Sequence, residues 1–170
     1  MRYAFSYPGH PVVLKNSKQI VRRGKKPMLI SSQQARTAKE RAVAEVSLQA
    51  EALGIDEPIE TPCELHTRFL LACTFGQHPD ISNLLEMPQD VLQEKQHGAG
   101  VICDDKQILH PGMPEWRCMC WKGCPSRVHQ KGRVCAYSRS LDCPVARTEL
   151  VLITGISDTR HRPVGDGGTP

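Results

Sequence analysis

Long apolar runs and aromatic side chains are both scarce in this sequence. No apolar stretch approaches the roughly 20 residues that a membrane-spanning helix needs, and segment 1–11 lacks the continuous apolar stretch of a signal peptide. We therefore expect a soluble cytoplasmic protein without a membrane partner. Aromatic residues make up 5% of the 170 residues, so we expect an aliphatic core. The scarcity of aromatics also disfavours a stacking platform for single-stranded nucleic acid.

Acidic residues are absent from segment 15–26, although the net charge of the whole chain is only +4. The basic residues there are Lys15, Lys18, Arg22, Arg23, Lys25 and Lys26. Gly24 separates two apolar triplets, which predicts a basic hairpin or a basic loop. A basic run without acidic residues suits contact with phosphates, and a solvated charged loop is the ordinary alternative.

The length of 170 residues fits one domain, which is expected over residues 1–156. Residues 2–7 alternate as a first strand, and Ser31-Ser32 begins a long helix to Leu53, with Gln34 placed for a capping box. A buried strand is expected over 65–75, and an amphipathic helix that Pro88 kinks or splits is expected over 80–92. The expected apolar stripe of the long helix comprises Ala35, Ala38, Ala42, Val46 and Leu53.

Two acidic clusters stand out from this background. Asp80 begins the amphipathic helix, where the ordinary role of a carboxylate is to cap the helix. Asp104 and Asp105 follow the flexible Gly98-Ala99-Gly100 turn, and their neighbouring carboxylates repel each other. A divalent cation relieves that repulsion because Mg²⁺ binds carboxylate oxygens. A surface turn with two solvated acids is the ordinary alternative.

Taken together, the two clusters carry a resemblance to a known family. The order of Pro79-Asp80, Asn83, Asp90 and Leu92, then Gly100-Val101-Ile102 and Asp104-Asp105-x-Gln107-Ile108, resembles the RusA family of Holliday junction resolvases of bacteria and their prophages. The likeness covers roughly residues 3–110 and resumes at 147–154, which it implies to be the last strand. It implies an α/β (α+β) fold, a small mixed sheet with two main helices, and a homodimer. The implied activity is nicking of branched double-stranded DNA with Mg²⁺ or Mn²⁺.

The resemblance also implies roles for individual residues. Asp80 and Asp105 would be direct ligands of the metal, and Glu86, Asp90 or Asp104 would be auxiliary ligands or support them. Asp90 has a structural alternative, namely hydrogen bonding to backbone after the kink. The residues expected to hold DNA phosphates are Lys15, Asn16, Arg22, Arg23, Lys25 and Lys26.

Two positions depart from the family pattern. Ser82 stands where the family has an aspartate, and Glu86 stands where it has a catalytically important lysine. Glu86 lies one helical turn after Ser82, so a carboxylate lost at one position is regained at the other. Both departures from the family pattern favour an alternative function, namely a non-catalytic, zinc-containing DNA-binding protein with the same fold.

Cysteines crowd segment 116–146, which is expected to be an insertion before the last strand. Zinc takes four such ligands and holds a loop that has little apolar content. The preferred ligands are Cys118, Cys120, Cys124 and Cys135, with Cys143 as the substitute; reduced thiols and disulfides are the alternatives. Cys63, Cys73 and Cys103 are expected in the core, and 157–170 is expected to be a disordered tail.

Overall fold

The computed structural model describes residues 1–9, 11–14, 18–24, 26–71, 81–94, 96, 98–112, 114–118 and 146–156. It confirms the predicted α/β (α+β) class, with a small mixed sheet, a separate two-stranded hairpin and helices. The strands are β1 (Arg2–Pro8), β2 (Lys18–Arg23), β3 (Lys26–Ser31), β4 (Cys63–Leu71), β5 (Ile108–Pro111), β6 (Glu115–Cys118) and β7 (Arg147–Thr154). The helices are α1 (Gln33–Ala52), α2 (Ile81–Leu84) and α3 (Glu86–Leu92), with a 3-10 helix at Asp105–Gln107.

The mixed sheet is organised around the last strand of the chain. Strand β7 has the bounds predicted from the sequence and lies between β1 and β4, antiparallel to both. On its other edge β4 pairs in parallel with β5 near its beginning and with β6 near its end. The predicted first strand is confirmed, and β4 begins at Cys63; residues 72–75 of its predicted extent lie outside the described residues.

The two faces of the sheet differ sharply in burial. Because side chains alternate across a strand, Phe5, Leu150 and Leu65 all point to one face, where they are at most 3% exposed. The helices cover this face, and the core is aliphatic apart from a few aromatic residues. The opposite face carries ion pairs such as Arg68 with Glu149, whose nitrogen and oxygen are 3.6 Å apart.

Helix α1 packs on β1 through small side chains that allow a close approach. The predicted stripe of Ala35, Ala38, Ala42 and Val46 is buried. Leu53 was predicted to complete the stripe, but it is 47% exposed; it is the C-cap, and Ala50 occupies the next buried turn.

The N-cap of α1 also differs from the prediction. Ser32 alone is the N-cap, and its hydroxyl accepts a hydrogen bond from Ala35 N at 3.2 Å. Ser31 is the last residue of β3 and not the N-cap. It therefore does not hold the position that the predicted capping box with Gln34 requires.

The predicted split of the amphipathic helix is confirmed. Helix α2 ends at Leu84 and α3 begins at Glu86. Proline in a helix clashes with the carbonyl four residues earlier, and for Pro88 that residue is Leu84. Pro88 therefore lies in the first turn of a new helix, where proline is tolerated, and Met87, Pro88, Val91 and Leu92 are buried.

Segment 18–31 forms a hairpin, as one of the two predicted alternatives required. Arg23 pairs with Lys26 across a tight turn, in which Gly24 has φ +67°, a conformation that favours glycine. Of the cysteines predicted in the core, Cys63 is buried, whereas Cys103 is exposed because it precedes the surface 3-10 helix; Cys73 lies outside the described residues. No helix in the described part of the chain is both long and apolar enough to span a membrane.

Candidate functional site

The chain after α3 folds back onto the end of that helix. Ala99 N donates to Val91 O at 2.7 Å, and Val101 N donates to Leu92 O at 3.0 Å, so carbonyls left free at the helix end are satisfied. Gly98 lies so close that a Cβ there would be 2.6 Å from Asp90 O. This packing brings the acidic pair Asp104-Asp105 to the same region of the surface as α3.

Asp104 caps the 3-10 helix. Its Oδ1 accepts from Lys106 N at 2.9 Å, and its own N–H donates to Gln107 Oε1 at 2.8 Å. Gln107 Nε2 then donates to Ile59 O at 2.8 Å, which ties the turn to the chain before β4. These bonds form a reciprocal capping box. They fix the conformation in which the carboxylate of Asp105 is presented.

The two neighbouring carboxyl groups are perturbed in opposite directions. The backbone hydrogen bond from Lys106 and the hydrogen bond from Asp105 lower the pKa of Asp104. The hydrogen bond with Asp104, partial burial and the negative charges of Asp104 and Asp90 raise the pKa of Asp105. Asp105 therefore holds its proton more tightly than an isolated aspartate does. A divalent cation bound to the pair would relieve the same repulsion.

A cation from α1 lies beside this acidic region. Lys39 Nζ is 3.1 Å from Asp90 Oδ2, and the two side chains are 28% and 32% exposed. Sequence reasoning missed Lys39. Its position gave a signal, since it lies four residues after Ala35 on the border of the buried stripe, but nothing in the sequence identified its partner on α3.

Glu86 contributes an oxygen whose hydrogen-bonding capacity is unused. Its Oε2 atom is buried and has no hydrogen-bond partner among the described residues. A buried oxygen without a partner is costly, and a bound cation or water removes that cost. Glu86 and Asp90 are one turn apart on α3, so both side chains lie on one side of the helix. Oxygen ligands of this kind fit Mg²⁺ or Mn²⁺.

The described acids do not form a complete metal centre by themselves. Within the described ranges, no three Asp, Glu, His or Cys side chains are close enough together to hold an ion. Asp80 lies outside the described residues, immediately before the first residue of α2. The described part thus brings Asp90, Asp104 and Asp105 into one region, and a site with the predicted ligand set requires Asp80 to join them.

The predicted phosphate contacts fall on the hairpin. Lys18, Arg22 and Lys26 are exposed on its strands, and Arg23 lies in β2. Lys15, Asn16 and Lys25 lie outside the described residues. The first acidic residue of the entire chain is Glu40, so no carboxylate side chain within the first 39 residues offsets the positive charge of the hairpin.

Most of the predicted zinc ligands lie outside the residues that the structure describes. Cys118 is the last residue of β6, so the first part of the predicted insertion, 116–118, belongs to the sheet. Cys120, Cys124, Cys135 and Cys143 lie outside the described residues. Comparison with known proteins adds no assignment: no family model and no curated protein matches this chain.

Proposed function

We propose that this protein is a metal-dependent endonuclease that cleaves branched double-stranded DNA such as Holliday junctions. The single observation that supports this function best is the adjacent pair of carboxylates, Asp104 and Asp105, which a capped turn holds next to α3, the helix that carries Asp90. A rigid, electron-rich site of this kind is suited to a divalent cation. The basic hairpin supplies the second requirement, a surface that attracts the phosphate backbone.

In this proposal Asp80 and Asp105 hold Mg²⁺ or Mn²⁺, and Glu86, Asp90 and Asp104 support them. The ion lowers the pKa of a bound water and neutralises charge on the scissile phosphate. Asp104 acts through Asp105: its cap fixes the turn, and its negative charge makes the Asp105 oxygens better ligands. Glu86 would add a buried oxygen that has no hydrogen-bond partner among the described residues.

Lys39 supplies positive charge that Glu86 does not. Its ammonium group is held near the acids by Asp90 at 3.1 Å, and its donors can turn toward a phosphate oxygen when DNA binds. The ion pair thereby has two uses, since it joins α1 to α3 in the free protein and offers a cation to the backbone of the substrate.

Cleavage of a four-way junction requires two symmetric nicks, and one subunit offers one acidic site. We therefore expect a homodimer whose two sites act on opposite strands, with each hairpin holding phosphates beside its own site. Phosphate contacts position the DNA without reading its sequence.

The test is cleavage of a synthetic four-way junction in the presence of Mg²⁺. Wild-type protein should nick it, and Asp80→Asn and Asp105→Asn should each abolish nicking while junction binding persists, because removing a negative charge eases the approach of phosphate. Glu45→Gln is the matched control, since it removes an exposed carboxylate from α1, and it should cleave normally. Near-normal cleavage by Asp80→Asn or Asp105→Asn would refute the assignment.

The second candidate function is a non-catalytic DNA-binding protein that contains structural zinc. Ser82 in place of a carboxylate and the pairing of Asp90 with Lys39 both favour it, because they reduce the charge available to a catalytic ion. Junction binding without cleavage at any Mg²⁺ or Mn²⁺ concentration would support this candidate.

A further inference from the structure

The β2–β3 hairpin exposes apolar side chains where a solvated basic loop would carry polar ones. Ile20 is 73% exposed and Leu29 is 62% exposed. They are direct partners across the two strands, so their side chains stand side by side on one face. Exposed apolar pairs of this size mark a surface that another molecule covers.

The neighbours of this apolar pair identify the chemistry of that molecule. Lys18 and Arg22 lie two residues before and after Ile20, on the same face of β2. Each is about 7 Å from Ile20 along the strand. An acidic partner surface would pair with the two cations but would leave the apolar pair uncovered, and an apolar partner surface would do the reverse. Duplex DNA suits both the cations and the apolar pair, because its phosphates flank an apolar stack of bases.

We propose that Ile20 and Leu29 form a wedge that enters the base stack at the branch point of the DNA. Proteins that bend DNA insert Ile, Leu or Met side chains between base steps in this way, and they place basic residues on the neighbouring phosphates. A hairpin with six-residue strands extends about 20 Å, enough to reach from the protein surface into a groove. This proposal rests on the proposed function, since it takes branched DNA as the ligand.

The branch point is the favourable place for such a wedge. Unstacking a base step inside an intact duplex costs a few kcal/mol, whereas a base pair at the branch point is stacked within its own arm on one side only, so less stacking is lost when a side chain enters there. The wedge therefore favours branched over linear DNA, a preference that phosphate contacts alone do not give.

The hairpin provides its own matched control. Val21 and Met28 are also direct partners, but they point to the opposite face and are less exposed, at 38% and 46%. Replacing either pair by threonine removes apolar surface and leaves a β-branched residue, which favours strands, at each position. The wedge variant is Ile20→Thr with Leu29→Thr, and the control variant is Val21→Thr with Met28→Thr.

The experiment places the fluorescent base 2-aminopurine at the branch point of a synthetic four-way junction, without divalent metal so that no strand is cut. Unstacking raises the fluorescence of this base. Wild-type protein and the control variant should raise it, and the wedge variant should not. The wedge variant should still bind within about tenfold of the wild-type affinity and with the same salt dependence, because the basic residues are unchanged.

Three outcomes would overturn the wedge. They are no fluorescence change when wild-type protein binds, an equal change with the wedge variant, and an equal loss in both variants. Loss of dimerisation in the wedge variant, measured by sedimentation, would instead assign the apolar pair to a second copy of this chain. The catalytic proposal is read separately from the cleavage assay: a bound, unstacked but uncut junction keeps the wedge and rejects the nuclease, and absence of DNA binding rejects both.

Discussion

Asp104 and Asp105 are adjacent and chemically identical, yet their surroundings give them different tasks. Asp104 receives the Lys106 N–H and caps a helix, so its carboxylate is stabilised in the charged form. The hydrogen bond with Asp104 and the negative charge of that neighbour raise the pKa of Asp105. Under the proposed function, the acid with the raised pKa gains more from a metal ion, so Asp105 would be the ligand and Asp104 the supporting residue.

The opposite shifts predict how the pair responds to pH. Because the pKa of Asp105 is raised on folding, its contribution to stability is present at low pH and is lost as pH rises through the folded pKa. The lowered pKa of Asp104 has the opposite effect, and its contribution is lost as pH falls through the folded value. Metal affinity should fall with decreasing pH where Asp105 takes up its proton, because proton and ion compete for the same oxygens.

At this scale we predict the outcome of removing one acid. Asp104→Asn should lower the pKa of Asp105, since Asp104 is the main cause of its elevation. Carbon-13 NMR titration of the Asp105 carboxyl group measures this shift directly. Asp56→Asn, which removes an exposed acid elsewhere, should leave the Asp105 titration unchanged. An unaltered Asp105 midpoint in the Asp104 variant would show that the two carboxyl groups are not coupled.

Single residues also show where sequence reasoning reached its limit. The helix cap formed by Asp104 is predictable from the sequence, because an aspartate followed three residues later by Gln107 is a capping-box pattern. The expectation of a metal site rested on the adjacent carboxylates and left this pattern out. The Lys39–Asp90 ion pair could not be predicted from the sequence, since the two residues are far apart along the chain and meet only because α1 and α3 pack together. The exposure of Cys103 likewise depends on how the turn before the 3-10 helix is placed in the tertiary structure, which the sequence alone does not determine.

Elements were predicted more successfully than their ends. Apolar periodicity placed β1 and α1, because each has a buried face that the sequence repeats at the strand or helix period, whereas β7 was placed by the family resemblance. The break at Pro88 followed from covalent geometry. The exact N-cap and the last buried turn of α1 were missed, because two serines and several small residues offered equivalent choices that only tertiary packing resolves.

The close packing of α1 gives a prediction at the level of the element. Ala42→Leu should lower the free energy of unfolding by about 1–3 kcal/mol, because Ala42 is 2% exposed and a larger side chain must displace its neighbours. Ala44→Leu is the matched control: it makes the same replacement on the exposed face of the same helix and should change stability by no more than about 0.5 kcal/mol. Urea denaturation measures both, and equal effects would show that α1 does not pack as described.

At the scale of the whole molecule, the two ends of the cysteine-rich segment 119–145 are attached to neighbouring parts of the sheet. Segment 119–145 begins after Cys118, which pairs with Leu71 on one side of β4, and it ends before Ala146 and β7, whose Arg147 pairs with Leu70 on the other side. These two strands are about 10 Å apart, two strand spacings. A short linker can therefore replace the segment without disturbing the register of the sheet.

That geometry allows the zinc prediction to be tested with the whole chain. Full-length protein should contain about one zinc per chain by elemental analysis. A variant with 119–145 replaced by a Gly-Ser linker should contain none, yet it should still unfold cooperatively and bind Mg²⁺ at the acidic site. Metal-free full-length protein with freely reactive thiols would refute the zinc site and leave the nuclease proposal standing.

Gln49 of α1 has a consequence for how copies of this molecule meet. Its amide accepts from Ser6 N at 2.8 Å and donates to Ser6 O at 2.6 Å, so it completes the hydrogen bonding of the outer edge of β1 at that residue. An unpaired edge of this kind is a template for adding a strand from another chain. A helix side chain here occupies the template in advance. Two copies therefore cannot extend one sheet into a continuous ribbon through this part of β1 without first displacing the Gln49 side chain, which protects the folded protein against fibrous association.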